Sequence, residues 1–286
     1  MIIDYQMSTD SNTSVKNKHD EHDNHSNNAI DDNKLTRDSI KRLVKDISDL
    51  YKNPLTDSSI YYIHDEENIQ LGYALIVGPD DTPYENGLYF FKLLFPRDYP
   101  FSPPKVTTLT NDGHCRFHPN LYRCGKVCLS LLNTWKGEGW TSCQNIKSVL
   151  LTIQSVMDSN PLLHEPGITS SNRDISIYND ALRYTNISFS IITMLDSIIL
   201  KKRFSHAFMV FSDILENMYR EKRDVLDTYI KTYITSEKSN PISFMQHEIP
   251  VTTYNMCIKV NIAELDKRWK NIMSKLDKQI GIEIKQ

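Results

Sequence analysis

An α+β fold, with a four-stranded antiparallel meander flanked by helices and followed by a helical C-terminal extension, is what this 286-residue sequence predicts. Three observations carry it. Runs rich in aromatic and aliphatic residues at 60–64, 71–77 and 88–95 are separated by Asp65-Glu66-Glu67-Asn68, Gly78-Pro79-Asp80-Asp81 and Glu85-Asn86-Gly87, the punctuation of hairpins. Apolar residues at helical spacing stand before and after those runs. The composition, 40% hydrophobic and 24% charged, is that of an ordinary globular protein and excludes disordered and collagen-like classes.

The elements follow in order. Residues 1–34 are rich in Asn, Asp, Ser and His with few apolar side chains, too little to offset the entropy of ordering, so a disordered tail is expected. Ile40, Leu43, Val44, Ile47 and Leu50 then mark an amphipathic helix that ends before Pro54. After the three strand-like runs, Pro96, Pro100, Pro103 and Pro104 permit only an extended connector, leading to a fourth strand at 105–110. Residues 111–139 are irregular. Thr141 and Gln144 read as a capping box opening a second helix, with Ile146, Val149, Leu150, Ile153, Val156 and Met157 as its apolar stripe. Beyond Gly167 the stretches 178–200, 204–233 and 261–280 are helical, Lys201-Lys202-Arg203 suits a helix C-terminus, and 235–260 is less regular. The domain division is 1–34 tail, 35–200 core domain and 201–286 helical extension.

Charge and cysteine usage narrow the function. The net charge of −3 is concentrated in the first 34 residues, which hold seven acids and three bases, leaving 30 bases against 29 acids elsewhere. A near-neutral body has no basic face for counterion release, so nucleic acid is not an expected partner. The most apolar stretch, 187–200, is short and contains Asp196, which argues against a membrane span. Five cysteines, an odd number, follow a start without a secretory pattern, so free thiols in a reducing, cytoplasmic or nuclear compartment are expected.

Chemistry concentrates in residues 117–130. Cys128 lies between Val127 and Leu129, with Asn120 eight residues earlier across an irregular backbone. A thiol can hold an acyl group as a thioester, and an amide can stabilise the oxyanion of the tetrahedral intermediate. Other readings stay open on spacing alone. Cys128 is equally a buried structural cysteine, and a hydrolase with a histidine base is compatible with the positions. Zinc on His114, Cys115, His118, Cys124 and Cys128 is disfavoured, because no Cys-x-x-Cys pair occurs.

A family resemblance narrows these alternatives. His118-Pro119-Asn120 followed by Gly125-Lys126-Val127-Cys128-Leu129, the upstream Phe95-Pro96-Arg97-Asp98-Tyr99-Pro100-Phe101-Ser102-Pro103-Pro104-Lys105-Val106 and the downstream Trp140-Thr141-Ser142-Cys143-Gln144 resemble the ubiquitin-conjugating enzymes over roughly residues 35–200. Thr134-Trp135, Ile153-Gln154-Ser155 and the run from Asn160-Pro161 to Glu165-Pro166-Gly167 are most similar to the long Z-type members, extension included, and the central motifs also resemble the giant apoptosis-inhibitor conjugating enzymes.

The resemblance implies the family fold and a transthiolation relay. An activating enzyme that consumes ATP hands ubiquitin, or a ubiquitin-like modifier, to Cys128, which passes it to a substrate lysine or a ligase cysteine. No bound cofactor and no metal are implied. By the same resemblance Asn120 stabilises the loop or the oxyanion, His118 is architectural, and Tyr122 and Leu129 frame the thiol. Lys41, Arg42 and Lys45 face the activating enzyme, while Phe101, Ser142 and Cys143 meet a ubiquitin ligase.

Two positions depart from the family pattern. Ser142-Cys143 stands where most members have Pro-Ala, and the usual acid after the second helix is missing, leaving His164 or Glu165 to orient the incoming amine. Lowering a lysine pKa from about 10.4 to about 8 raises its neutral fraction roughly two-hundredfold at pH 7, which is why such a group matters. A non-catalytic ubiquitin-binding module of the same fold is the alternative, to be separated by the accessibility of Cys128 and its distance from Asn120.

Overall fold

In the computed structural model, residues 34–201, 204–239 and 247–282 are described here. The polar tail and the basic run at 201–203 therefore lie outside the described residues, apart from Lys34 and Lys201.

Helix α1 spans Arg37–Lys52, and the Thr36 hydroxyl caps it by accepting the Ser39 N–H at 3.1 Å. Its buried face differs from the expected stripe: Ser39, Leu43, Asp46 and Leu50 are buried, while Ile40 and Val44 are 37% and 50% exposed. Hydrogen bonding decides the rotation. Ser39 donates to the Arg97 carbonyl at 2.7 Å, and Asp46 accepts from the Tyr99 hydroxyl at 2.6 Å and from Arg42 Nε at 2.9 Å, so two polar side chains are satisfied in the interior.

Strands β1 (Ile60–His64), β2 (Leu71–Val77), β3 (Leu88–Leu94) and β4 (Lys105–Thr108) form an antiparallel sheet in that order. The register sets Leu75 opposite both Tyr61 and Phe90. Strand β2 and most of β3 are buried on both faces, which explains their near-continuous apolar sequence. Helix α2 (Ile146–Ser155) packs on β2, while the rings of Phe208 and Phe211, from the C-terminal segment, lie 5.0 and 5.6 Å from Phe90.

The second helix starts later than Thr141. Asn145 and Ser148 form the capping box, with the Asn145 amide oxygen accepting the Ser148 N–H at 3.1 Å and the Ser148 hydroxyl accepting the Asn145 N–H at 3.2 Å. Thr141 and Gln144 close a turn instead. The carbonyls of Ser142 and Gln144 are each taken by the Arg42 guanidinium at 2.7 Å, which holds this stretch as a turn ahead of the helix.

Helix α3 (Asp174–Thr185) widens into π-helix at Asn186–Thr193 and again at Asp196–Leu200. The wide turns seat the buried Asn186 amide between the Tyr89 hydroxyl (2.7 Å) and the Glu85 carbonyl (2.8 Å). Beyond it the segment expected as one helix breaks into α4 (His206–Met209) and α5 (Ser212–Lys238). The stretch expected to be irregular holds the hairpin β5 (His247–Val251) and β6 (Met256–Val260), and α6 (Ile262–Ile280) follows. Asp277, buried between α5 and α6, is compensated by Arg223 at 2.8 Å and the Tyr219 hydroxyl at 2.9 Å. Among the described residues no helix is long and apolar enough to cross a membrane.

Candidate active site

The irregular segment between β4 and α2 is shaped by side chains. Tyr84 and Tyr178 each donate a hydroxyl to its backbone at 2.7 Å, to the carbonyls of Phe117 and Arg116. His118 is fully buried, and its Nδ1 accepts the Asn120 N–H at 2.9 Å, which puts the proton of the neutral ring on Nε2. Burial, then the neighbouring His164, hold the His118 pKa down at about 3, with the Val156 carbonyl acting the other way. The ring is therefore neutral at pH 7, an architectural state and not that of a charged partner.

Asn120 and Cys128 face each other across a short ladder. The Cys128 N–H donates to the Asn120 carbonyl at 2.9 Å, and the Asn120 Nδ2 donates back to the Cys128 carbonyl at 2.6 Å. The Asn120 Oδ1 is buried without a partner. Gly125 turns the chain between these residues at φ +86°, and a Cβ there would sit 2.9 Å from the Thr107 methyl, so the tight turn excludes a side chain. Thr134 grips the other side of Cys128: its hydroxyl accepts the Leu129 N–H at 2.9 Å and donates to the Val127 carbonyl at 3.0 Å.

The ladder ties the Cys128 backbone to Asn120, and the residue is largely covered. Cys128 is 2% exposed, whereas Cys124 and Cys143 are exposed. The fold thus restricts access to Cys128, and loosening the loop should raise its exposure.

The other predicted residues divide into those the fold brings to this loop and those it does not. Leu129 is buried in the core, and the Tyr122 ring lies under the Arg116 guanidinium at 4.0 Å. His164 bonds Asp158 through Nε2 at 2.8 Å, and its ring is 5.1 Å from that of His118. Glu165 instead accepts the Tyr254 hydroxyl at 2.7 Å and lies 4.0 Å from Arg116. On α1, Lys41 and Lys45 are exposed, with Lys41 paired to Asp38, but Arg42 is engaged by Asp46 and the two carbonyls before α2. Phe101 is 78% exposed and joins the exposed Ser142 and Cys143 through Trp140, whose Nε1 donates to the Pro100 carbonyl at 2.7 Å.

Sequence reasoning missed Thr134, Arg116 and Tyr254 as neighbours of the loop. Thr134 carries a weak signal, a hydroxyl residue six positions after Cys128. Arg116 and Tyr254 carry none, since their contact depends on where the β5–β6 hairpin docks.

Comparison with known proteins agrees with this arrangement. Residues 42–195 match the ubiquitin-conjugating enzyme family. Ubiquitin-conjugating enzyme E2 Z of Danio rerio is 37% identical over 201 residues, covering 67% of this chain and 60% of that protein. The Homo sapiens E2 Z is 40% identical over 158 residues, covering 54% and 44%. The Homo sapiens dual E2 ubiquitin-conjugating enzyme/E3 ubiquitin-protein ligase BIRC6 is 46% identical over 125 residues, 41% of this chain and 3% of that one. The matched regions thus span less than two thirds of these relatives' lengths. A family match over more than half of the chain, carried on a four-stranded meander with the His118-Pro119-Asn120 triplet laddered to Cys128, shows that the chain belongs to the ubiquitin-conjugating enzyme family.

Proposed function

We propose that this chain accepts ubiquitin or a ubiquitin-like modifier from an activating enzyme as a thioester on Cys128 and passes it to a substrate lysine or a ligase cysteine. The observation that carries the reading is the Asn120–Cys128 ladder, which ties the backbone of Cys128 to Asn120 on both its N–H and its carbonyl. In the first half the Cys128 thiolate adds to the carbonyl carbon of the incoming thioester, and the activating enzyme's sulfur leaves with the bonding pair. In the second half an amine or thiolate displaces Cys128, and an amine loses its proton to a base. ATP is consumed by the activating enzyme, and Cys128 needs no metal or cofactor for either step.

The remaining roles follow from the contacts. The Asn120 amide already donates to the Cys128 carbonyl, which supports loop stabilisation as its resting role. His164, exposed and oriented by Asp158, is the better candidate to receive the amine than Glu165, whose carboxylate is held by Tyr254. Lys41 and Lys45 are offered to the activating enzyme, and Phe101, Ser142 and Cys143 to a ligase. Residues 35–200 serve as the conjugating core, with 201–286 as its extension, in a reducing cytoplasmic or nuclear compartment.

One observation favours a second reading, a non-catalytic ubiquitin-binding module: the 2% exposure of Cys128. Incubation with activating enzyme, ATP and labelled ubiquitin, read on a non-reducing gel, separates the two. A thiol-sensitive adduct supports conjugation, and its absence with retained ubiquitin binding supports the module.

A further inference from the structure

Tyr254, in the turn Thr252–Tyr254 between β5 and β6, reaches the loop that carries Cys128 from the far end of the chain. Its ring centroid is 4.4 Å from Arg116 Cζ, and the Tyr122 centroid is 4.0 Å from the same atom. Both rings thus lie within cation–π distance of one guanidinium. Arg116 Nε is buried without a partner, so the rings, more than a full set of hydrogen bonds, hold the guanidinium in place. The same guanidinium donates to the Pro119 carbonyl, in the residue just before Asn120. The hairpin is itself anchored, because Thr252 and Thr253 donate hydroxyls to Asp174 at 2.6 Å each, and loop residue Arg123 donates to the Tyr254 carbonyl at 3.4 Å.

We propose that Tyr254 is a positioning residue for Cys128: its ring fixes Arg116, Arg116 fixes Pro119, and the Asn120–Cys128 ladder is kept in register through that chain. The C-terminal extension thereby acts on the reaction by holding the loop, without touching the reacting atoms. The part concerning rate rests on Cys128 being the thioester nucleophile; the part concerning loop geometry does not.

The test uses the full chain as wild type, Tyr254→Ala, Tyr254→Phe and Arg116→Lys. Iodoacetamide alkylation of Cys128, quantified by mass spectrometry against exposed Cys143, reads the loop directly. Tyr254→Ala should speed it about fivefold by easing local opening, and Tyr254→Phe, which keeps the ring, should restore the wild-type value. Single-turnover discharge of the ubiquitin thioester to free lysine should lose about tenfold in maximal rate in Tyr254→Ala, with half-saturating lysine unchanged and Tyr254→Phe again rescuing. If Tyr254→Ala does not fold, Arg116→Lys, which keeps the charge but not the planar stack, should show the same two changes. Wild-type alkylation and discharge in the folded variant, or a Tyr254→Phe variant as impaired as Tyr254→Ala, would overturn the proposal. A wild type that takes no ubiquitin refutes the conjugating reading alone, and the alkylation result still judges the brace.

Discussion

The meander and the loop that follows it are built by opposite means. From Ile60 to Leu94 the chain is held by a backbone ladder and by apolar side chains buried on both faces of β2 and β3. Between β4 and α2 the backbone is irregular, and hydroxyls, an amide, an imidazole and a guanidinium hold it through individual bonds. A ladder spreads its stability over many residues, so no one side chain sets its geometry. A loop fastened at single points is set by a few side chains, so losing one of them should change its geometry and its opening.

The sharpest way to break the comparison is at the thiol. Cys128→Ala should abolish the thiol-sensitive ubiquitin adduct, and Cys128→Ser should turn it into a reductant-resistant oxyester, both visible on a gel run with and without reductant. An adduct surviving in Cys128→Ala would move the chemistry elsewhere and leave the loop as mere architecture.

Next in size is a pair of substitutions, one in each region. Phe90→Ala removes the ring on which Phe208 and Phe211 pack and should cost about 3–5 kcal/mol of global stability by denaturant unfolding. Thr134→Val keeps the shape but strips the hydroxyl from the Val127 carbonyl and the Leu129 N–H, at about 1–3 kcal/mol. The second should lower stability less yet speed Cys128 alkylation more. Equal effects of both on alkylation would mean that the loop opens only when the whole chain unfolds.

The two regions also differ in how far the sequence revealed them. Strand positions were legible to within a residue or two because period and turn residues act locally. The helices departed from expectation where distant partners intervened: Arg42 claims the carbonyls before α2, which starts later, and Ser39 and Asp46 rotate the buried face of α1, whose end before Pro54 was legible. The β5–β6 hairpin escaped because Pro250 weakens a strand signal, although Val251, Met256, Ile258 and Val260 are buried in alternation. At the site, Cys128, Asn120 and His118 were legible through one local motif. Arg116 and Tyr254 could not be, since nothing near either residue encodes their contact.

Acid offers a milder probe of the loop. With His118 lowered from 6.5 to about 3 in the folded chain, folding favours the neutral ring. Its contribution is fully present above pH 6.5 and is lost as pH falls toward 3, by at most about 1.4 kcal/mol per unit. His64, whose pKa burial also lowers, adds to the same slope, so unfolding midpoints are followed between pH 6.5 and 5.5 in wild type and in His118→Gln, and the difference between the two isolates His118. His118→Gln should flatten the slope, and an unchanged slope would assign the acid sensitivity elsewhere.

The smallest expected effect is at Cys124, and its smallness is informative. Cys124 shares the loop with Cys128 and is far more exposed, so accessibility alone would make it the preferred nucleophile. Position argues otherwise, because Cys124 lies beside the Gly125 turn and takes no part in the Asn120–Cys128 ladder. Cys124→Ser should leave the rate and extent of ubiquitin charging unchanged within error while removing one fast-alkylating thiol from the mass spectrum. A charging loss comparable to that of Cys128→Ala would show that exposure, and not the ladder, selects the reactive sulfur. Unchanged charging places the selectivity in the side-chain fastenings that distinguish this loop from the meander.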